Sequence, residues 1–297
     1  DVYKRQYLKK FLTEEAPAKL ESQLEHMDWS YLDMIHNKEQ QRGTFSPLAA
    51  MELSEIEANK DKYLATGLDA VKNGKVGAIL LAGGQGTRLG FDKAKGMFNI
   101  GKTKELYIFE QLVANLMKVT NQTGTWVPLY VMTSEINDSM TREFFEEHDY
   151  FGYNKDYVKF FVQEMVPAVD FDGNLLMKSE DSLAMSPNGN GGWFKSLINA
   201  GLDKDLKDKG VEWLNVFGVD NVLQQIADPV FVGAIIESGC VSGSKVVRKC
   251  DPYERVGAMC LENGKPSIVE YYELTPEMAE AKNENGSLQY GLSLIHI

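Results

Sequence analysis

The chain has 297 residues, of which 43% are hydrophobic and 25% charged, the composition of an ordinary soluble globular protein with enough residues for one large or two modest cores. Its 43 acidic and 31 basic residues leave a net charge of −12; with no lysine- or arginine-rich block, this excludes nucleic acid and anionic membrane as the main partner, because both need a basic footprint. A small anionic substrate stays open, since a few local cations outweigh a distant, screened acidic surface.

The N-terminus, DVYKRQYLKKF, lacks the apolar stretch of a secretion signal. No apolar run reaches the ~18 residues needed to cross a bilayer. Residues 7 to about 72 are expected to be helical. Leu20, Leu24 and Met27 fall at i, i+4 and i+7, and Ser30-x-x-Asp33 and Ser54-x-x-Glu57 have the form of helix-start boxes. GTFSP, residues 43–47, marks a loop between helical segments. This N-terminal region, residues 1–74, carries no recognisable chemistry and reads as a helical cap beside a catalytic domain.

From Val76 the texture changes to alternating strands and helices. VGAILLA (76–82) is a buried-strand run, a helix is expected over 104–119, VPLYVMT (127–133) is the next strand, and a helix covers about 137–148. VKFFV (158–162), WLNVFGV (213–219) and SKVVRK (244–249) are further strands. Asp228-Pro229 opens a helix with an N-cap and a proline at the first helical position, and Gly239 closes it. Asn263-Gly264 between AMCLE and PSIVEYYE reads as a two-residue hairpin turn. The fold class is α/β: a mostly parallel sheet flanked by helices, with ligands at the carboxyl ends of the strands.

Cys240, Cys250 and Cys260, spaced by ten, fit neither a zinc pattern nor a redox pair. An odd count without a signal peptide points to a reducing compartment, and a cytoplasmic location is expected. The histidines, His26, His36, His148 and His296, form no i,i+4 pair, so a histidine metal site has no support. The two ends, DVYKRQ (1–6) and LSLIHI (292–297), read as translated adaptor sequence, so a catalytic domain over 75–291 is expected, with a C-terminal domain missing.

The stretch LLAGGQGTRLG, residues 80–90, places glycines directly after a strand. A Walker A loop would end in GK[ST], and GTRL stands there instead. A dinucleotide fingerprint would put its third glycine at position 89, which is Leu89. A nucleotidyltransferase loop fits every residue: Gly83, Gly84 and Gly86 free backbone amides to line a triphosphate, Arg88 adds a forked cation and Lys95 a point charge.

These residues, with KGM (95–97), FFVQEMVPA (160–168), MSPNGNGGWFKSL (185–197), NVFGVDNVLQQIADPVF (215–231) and SIVEYYEL (267–274), resemble the UDP-N-acetylglucosamine pyrophosphorylases within the wider UDP-sugar pyrophosphorylase group. The resemblance spans nearly the whole chain. It implies a Rossmann-like central domain with an N-terminal helical region and a smaller C-terminal domain, and the reaction of UTP with a sugar 1-phosphate to give a UDP-sugar and pyrophosphate, with Mg²⁺ as cofactor. The sugar phosphate attacks the α-phosphorus in line, which matches a sequence without a nucleophile–base pair. In such transfers the protein mainly positions groups and neutralises developing charge.

Residue by residue, the resemblance implies that Leu81, Ala82, Gly83, Gly84 and Gly86 bind the nucleotide, with Arg88 and Lys95 as the catalytic cations. Lys93 reads as a solvated neighbour. Asp220, in GVDN, matches an aspartate that contacts metal and nucleotide, as a hard carboxylate suits Mg²⁺. Gln163 matches a glutamine that reads uracil, its amide offering both donor and acceptor. Gly189 and Asn190 lie in a second glycine-rich loop expected over the nucleoside and sugar, and Gly257, Glu270 and Tyr271 match sugar contacts. An asparagine motif and a later phosphate-binding lysine of the family are absent after Gly291. The chain as written is therefore expected to bind UTP less well than an intact relative and to turn over poorly.

The sugar is fixed less well than the nucleotide. Glucose 1-phosphate, or several sugars, stands as the alternative to N-acetylglucosamine 1-phosphate. A nicotinamide-dependent oxidoreductase is the alternative from another class, opposed by the missing third glycine and by Arg88 and Lys95. An inactive binding module is a further reading, opposed by the joint presence of Arg88, Lys95 and Asp220.

Overall fold

The structure, a computed structural model, describes residues 18–27, 29, 42–170, 172–179 and 181–293. In chain order the elements are α1 (Ala18–His26), β1 (Phe45–Pro47), α2 (Leu53–Ala58), α3 (Lys60–Lys72), β2 (Val76–Leu81), α4 (Ile108–Thr123), β3 (Leu129–Thr133) and α5 (Asp138–Glu147). There follow β4 (Val158–Val162), β5 (Met165–Pro167), β6 (Met177–Ser179), β7 (Ser182–Leu183), β8 (Met185–Pro187), α6 (Trp193–Asn199), α7 (Leu202–Asp208) and β9 (Trp213–Gly218). The last are α8 (Pro229–Glu237), β10 (Val247–Arg248), β11 (Ala258–Glu262), β12 (Lys265–Val269), α9 (Pro276–Glu280) and β13 (Leu292–Ser293).

A four-stranded sheet in the order β4-β3-β2-β9 is parallel throughout. Its central strands, β2 and β3, are buried on both faces, as a sheet covered on both sides requires. Along β2 the side chains alternate: Ala78 and Leu80 join a core with α3, α4, α5 and α8 through Val71, Phe109, Leu112, Phe145 and Val232. Ile79 points the other way, into a core with Tyr130, Met132, Phe161, Leu197 and Leu206 beneath α6 and α7. The period of two in the strands thus decides which helix covers which face.

Tyr130 is fully buried in this second core, and its hydroxyl donates to Asp205 Oδ2 at 2.7 Å while Lys209 Nζ lies 2.5 Å from Asp205 Oδ1. Burial pushes the Asp205 carboxyl up, but the hydrogen bonds from Lys209 and Tyr130 outweigh it and hold the group below its ordinary range. A depressed carboxylate contributes stability above its unfolded value, which is lost as pH falls through the folded one. Tyr130→Phe is expected to lower unfolding free energy at pH 7 by about 1.5 kcal/mol, the worth of a hydrogen bond to a charged group. Urea denaturation checks this, and an unchanged midpoint would count against it.

The second sheet is antiparallel and five-stranded. Its centre, β11, pairs with β12 along one edge and with β1 and β13 in succession along the other. The β11–β12 turn is Asn263-Gly264, with φ of 51° and 78°, the left-handed pair that a two-residue hairpin demands and that Asn-Gly supplies at low cost. Ala258, Cys260, Val269 and Tyr290 form its core, with Phe45, Leu274 and Met278 against it. Burial pushes the Cys260 thiol up, and all three cysteines are free.

Several expectations change. GTFSP contains a strand, not only a loop: Phe45–Pro47 pairs with Cys260–Glu262 at the far end of the chain. Ser54 does not start a helix; α2 has Glu52 at its N-cap, without a side-chain cap bond. The strand expected over 244–249 contracts to Val247–Arg248, and the helix expected over 104–119 runs from Ile108 to Thr123. The Ser30/Asp33 box and residues 294–297 lie outside the described residues, whereas Leu292 and Ser293 pair with β10. Helix α1 packs Leu20 and Leu24 on the small β6–β7 ribbon, through Leu175 and Leu183. Among the described residues no helix is long and apolar enough to cross a membrane.

Candidate active site

In the parallel sheet all four carboxyl ends lie along one edge: Leu81 is in register with Met132 and Gly218, and Thr133 with Val162. The chain runs outward through β2, β3 and β4, then returns to place β9 on the other side of β2. The strand order therefore reverses between β2 and β9, and open α/β sheets bind ligands at such a switch point. The glycine stretch leaves β2 there, and Asp220 follows β9 there.

The loop after β2 is braced from below. Asn137, fully buried, donates through Nδ2 to the Ala82 carbonyl at 3.0 Å and accepts the Ser134 N–H at 2.7 Å. Gly83 lies against Gln163: a Cβ at Gly83 would come within 2.9 Å of Gln163 Oε1. The loop then doubles back, with Gly86 N–H donating to the Lys93 carbonyl at 2.9 Å and Lys95 N–H to the Gly84 carbonyl at 3.2 Å. A Cβ at Gly86 would strike Phe91, whereas Gly84 faces open space. Doubling back brings Lys95 to the switch point, where its Nζ lies 2.5 Å from Asp220 Oδ1. Two residues 125 apart in sequence, singled out separately, are thus in direct contact.

Arg88 is exposed on the turn Thr87–Leu89, with no ion pair among the described residues. Lys93 is exposed too, beside the half-buried Lys95. Leu89 is 47% exposed, and the next helix does not begin until Ile108. A dinucleotide fingerprint needs its third glycine packed under a helix that starts at once, so the geometry here opposes the oxidoreductase reading.

Gln163 directly follows β4, its N–H donating to the Thr133 carbonyl at 2.8 Å. The residue is 7% exposed, and its amide atoms are not among the buried polar atoms left without a partner. The amide faces Gly83 of the glycine loop. The second glycine loop lies alongside: Asn188 N–H donates to the Glu164 carbonyl at 3.0 Å, Gly189 has φ of 75°, and Asn190 begins the turn into α6. Gly189 and Asn190 are both exposed.

Gly257, Glu270 and Tyr271 form a second cluster, on the antiparallel sheet. A Cβ at Gly257 would lie 3.3 Å from Glu270 Oε1, and the Glu270 N–H donates to Glu273 Oε2 at 2.9 Å. Tyr271 is 44% exposed and meets Tyr272 edge to face at 5.3 Å. A cavity of about 330 Å³ also opens on this sheet, lined by Arg248, Lys249, Cys250, Lys282 and Ser287 among others. It holds none of the predicted site residues. Asn137 and Ser196 escape sequence reasoning altogether; both act on backbone groups distant in the chain, a role that leaves no local motif.

The family model for UTP–glucose-1-phosphate uridylyltransferase matches residues 9–290. The chain is 37% identical over 290 residues to the UDP-N-acetylglucosamine pyrophosphorylase of Saccharomyces cerevisiae, covering 95% of this chain and 60% of that one. It is 41% identical over 237 residues to UDP-N-acetylhexosamine pyrophosphorylase-like protein 1 of Xenopus tropicalis, covering 77% and 46% respectively. Among solved structures, the UDP-N-acetylglucosamine pyrophosphorylase of Trypanosoma brucei superposes with a TM-score of 0.80 at 29% identity, over 93% of this chain and 59% of that one. The chain spans about half the length of the curated relatives it matches.

Proposed function

The chain belongs to the UTP–glucose-1-phosphate uridylyltransferase family, and from that premise we propose that it carries the nucleotide-binding and sugar-binding parts of an enzyme that makes UDP-N-acetylglucosamine from UTP and N-acetylglucosamine 1-phosphate. The observation that carries the reading is the Lys95–Asp220 contact at the switch point, with the Gln163 amide against Gly83 of the glycine loop. In the proposed reaction an oxygen of the sugar phosphate attacks the α-phosphorus of UTP. The bond from that phosphorus to the bridging oxygen breaks, and pyrophosphate leaves with the electron pair.

Leu81 and Ala82 end the strand on which the nucleotide rests. Gly83, Gly84 and Gly86 let backbone approach the phosphates, and Gly84, open to solvent, has room for one. Lys95 and Arg88 neutralise charge that grows on the leaving pyrophosphate, the kind of preorganised electrostatics that dominates such transfers. Gln163 reads the uracil edge, and Gly189 and Asn190 cover nucleoside and sugar. Glu270 accepts sugar hydroxyls beside Gly257, and Tyr271 offers its ring.

A magnesium ion fits Asp220. The carboxylate is half exposed, and among the described residues no three His, Cys, Asp or Glu side chains gather into a cage. Mg²⁺ is commonly held in this way, by one or two carboxylates with substrate phosphates and waters. When bound, the ion would supply charge neutralisation at the phosphates. Asp220 would hold it and, through Oδ1, keep Lys95 oriented toward the same place.

The sugar is tested by calorimetric titration of UDP-N-acetylglucosamine and UDP-glucose into the chain. The proposal predicts tighter binding of the N-acetyl sugar. Equal or tighter binding of UDP-glucose would favour the glucose reading, which the relatives support less: solved UDP-glucose pyrophosphorylases share the fold at only 14–17% identity.

A further inference from the structure

The residue that follows Gln163 is held far more firmly than Gln163 itself. The Glu164 N–H donates to Ser196 Oγ at 2.9 Å, and the Ser196 hydroxyl donates onward to the Gly192 carbonyl at 2.9 Å. The Glu164 carbonyl accepts the Asn188 N–H at 3.0 Å, and its carboxylate takes Asn188 Nδ2 at 3.3 Å and Lys195 Nζ at 3.2 Å. These contacts tie the end of β4 to the second glycine loop and to α6. They are unequal in worth. Lys195 is 42% exposed and Glu164 20% exposed at the ion pair, and partly exposed pairs contribute little. Ser196 is 3% exposed, and removing its oxygen would take away the acceptor of the Glu164 N–H.

We infer that Ser196 is a positioning residue for base recognition: through the Glu164 N–H it fixes the backbone that carries Gln163 beside Gly83 and sets the second glycine loop alongside. The inference rests on the proposed reading of Gln163 as the uracil contact. Uracil presents a ring N–H donor flanked by carbonyl acceptors, whereas cytosine presents a ring nitrogen acceptor beside an amino donor. An amide matches one of these edges at a time, because its oxygen accepts and its nitrogen donates, and it does so only from a set place beside the base. An amide on a loosened strand end loses the place from which it meets the uracil edge. Ser196 touches neither base nor phosphate, so its signature is lost selectivity between bases.

The test is calorimetric titration of UTP and CTP, each with Mg²⁺, into the 297-residue chain and into its Ser196→Ala and Ser196→Thr variants. The parent is expected to prefer UTP by about tenfold or more. Ser196→Ala should cut that preference about tenfold, the worth of one buried hydrogen-bonding group, mainly by weakening UTP. Ser196→Thr, which keeps the hydroxyl, should restore it. In the ligand-free Ser196→Ala chain the Glu164 amide should also exchange its hydrogen faster than in the parent. Parallel weakening of both nucleotides, unaltered selectivity, or unaltered exchange at Glu164 would overturn the inference alone. A parent chain that binds neither nucleotide would overturn the uridine reading and this inference together.

Discussion

Asp220→Asn and Lys95→Ala are each expected to lower turnover about 100-fold or more when made in a chain of the relatives' full length, the usual cost of removing one preorganised charge from a transition state. The readout is pyrophosphate release from UTP and N-acetylglucosamine 1-phosphate. The two side chains meet at 2.5 Å, with Lys95 19% and Asp220 50% exposed. A pair so open to water contributes at most about 1 kcal/mol to folding, so neither variant should unfold the protein. Asp220→Asn keeps the shape and a weak contact to Lys95 while removing the charge that a magnesium ion needs. Lys95→Ala keeps the carboxylate and removes the cation. If both act on the same phosphates, the double variant should lose less than the product of the single losses. A loss of less than about threefold at both positions would sink the assignment of these residues.

Gly67→Ala and Gly233→Ala should be the most damaging small substitutions outside the site. Helices α3 and α8 cross so closely that a Cβ at Gly67 would lie 1.8 Å from the Pro229 carbonyl oxygen, and one at Gly233 would lie 1.8 Å from the Tyr63 carbonyl oxygen. Both obstacles are backbone, which moves only if the helices separate. Alanine in a helix gains about 1 kcal/mol over glycine, but overpacking at such distances costs about 3 kcal/mol or more. The net loss of about 2 kcal/mol should lower Tm by roughly 4–8 °C. Helix α3 leads into β2 and α8 follows β9, so parting them disturbs the two strands that lead to the loops of Lys95 and Asp220. Thermal unfolding of either variant within about 1 °C of the parent would show that the crossing is looser than described.

What the sequence discloses of this fold is its locally determined part. The buried runs of β2 and β3, the Asn263-Gly264 turn and the Asp228-Pro229 helix start are all read from neighbours in the chain, and Asp228 Oδ1 does cap the Val230 N–H at 3.1 Å. Phe45–Pro47 is too short to declare itself as a strand; its identity comes from β11, more than 200 residues away. The β5–β8 and β6–β7 ribbons are short for the same reason. The glycine loop was legible because dense glycines after a strand have few other uses. The pairing of Lys95 with Asp220 was not, since it depends on the loop doubling back. Asn137 and Ser196 were invisible because an amide or a hydroxyl that holds distant backbone looks like any other polar residue.

Thermal unfolding of the chain with Mg²⁺ and, in separate samples, UTP, ATP or NADH tests the central claim most directly. A ligand present at about 100 times its dissociation constant stabilises the fold by roughly 2.7 kcal/mol, a shift of several degrees. The account predicts a rise in Tm with UTP that ATP and NADH do not match. A rise with NADH, or a clean transition that no nucleotide moves, would contradict the assignment of residues 80–90 as a uridine triphosphate loop in this chain.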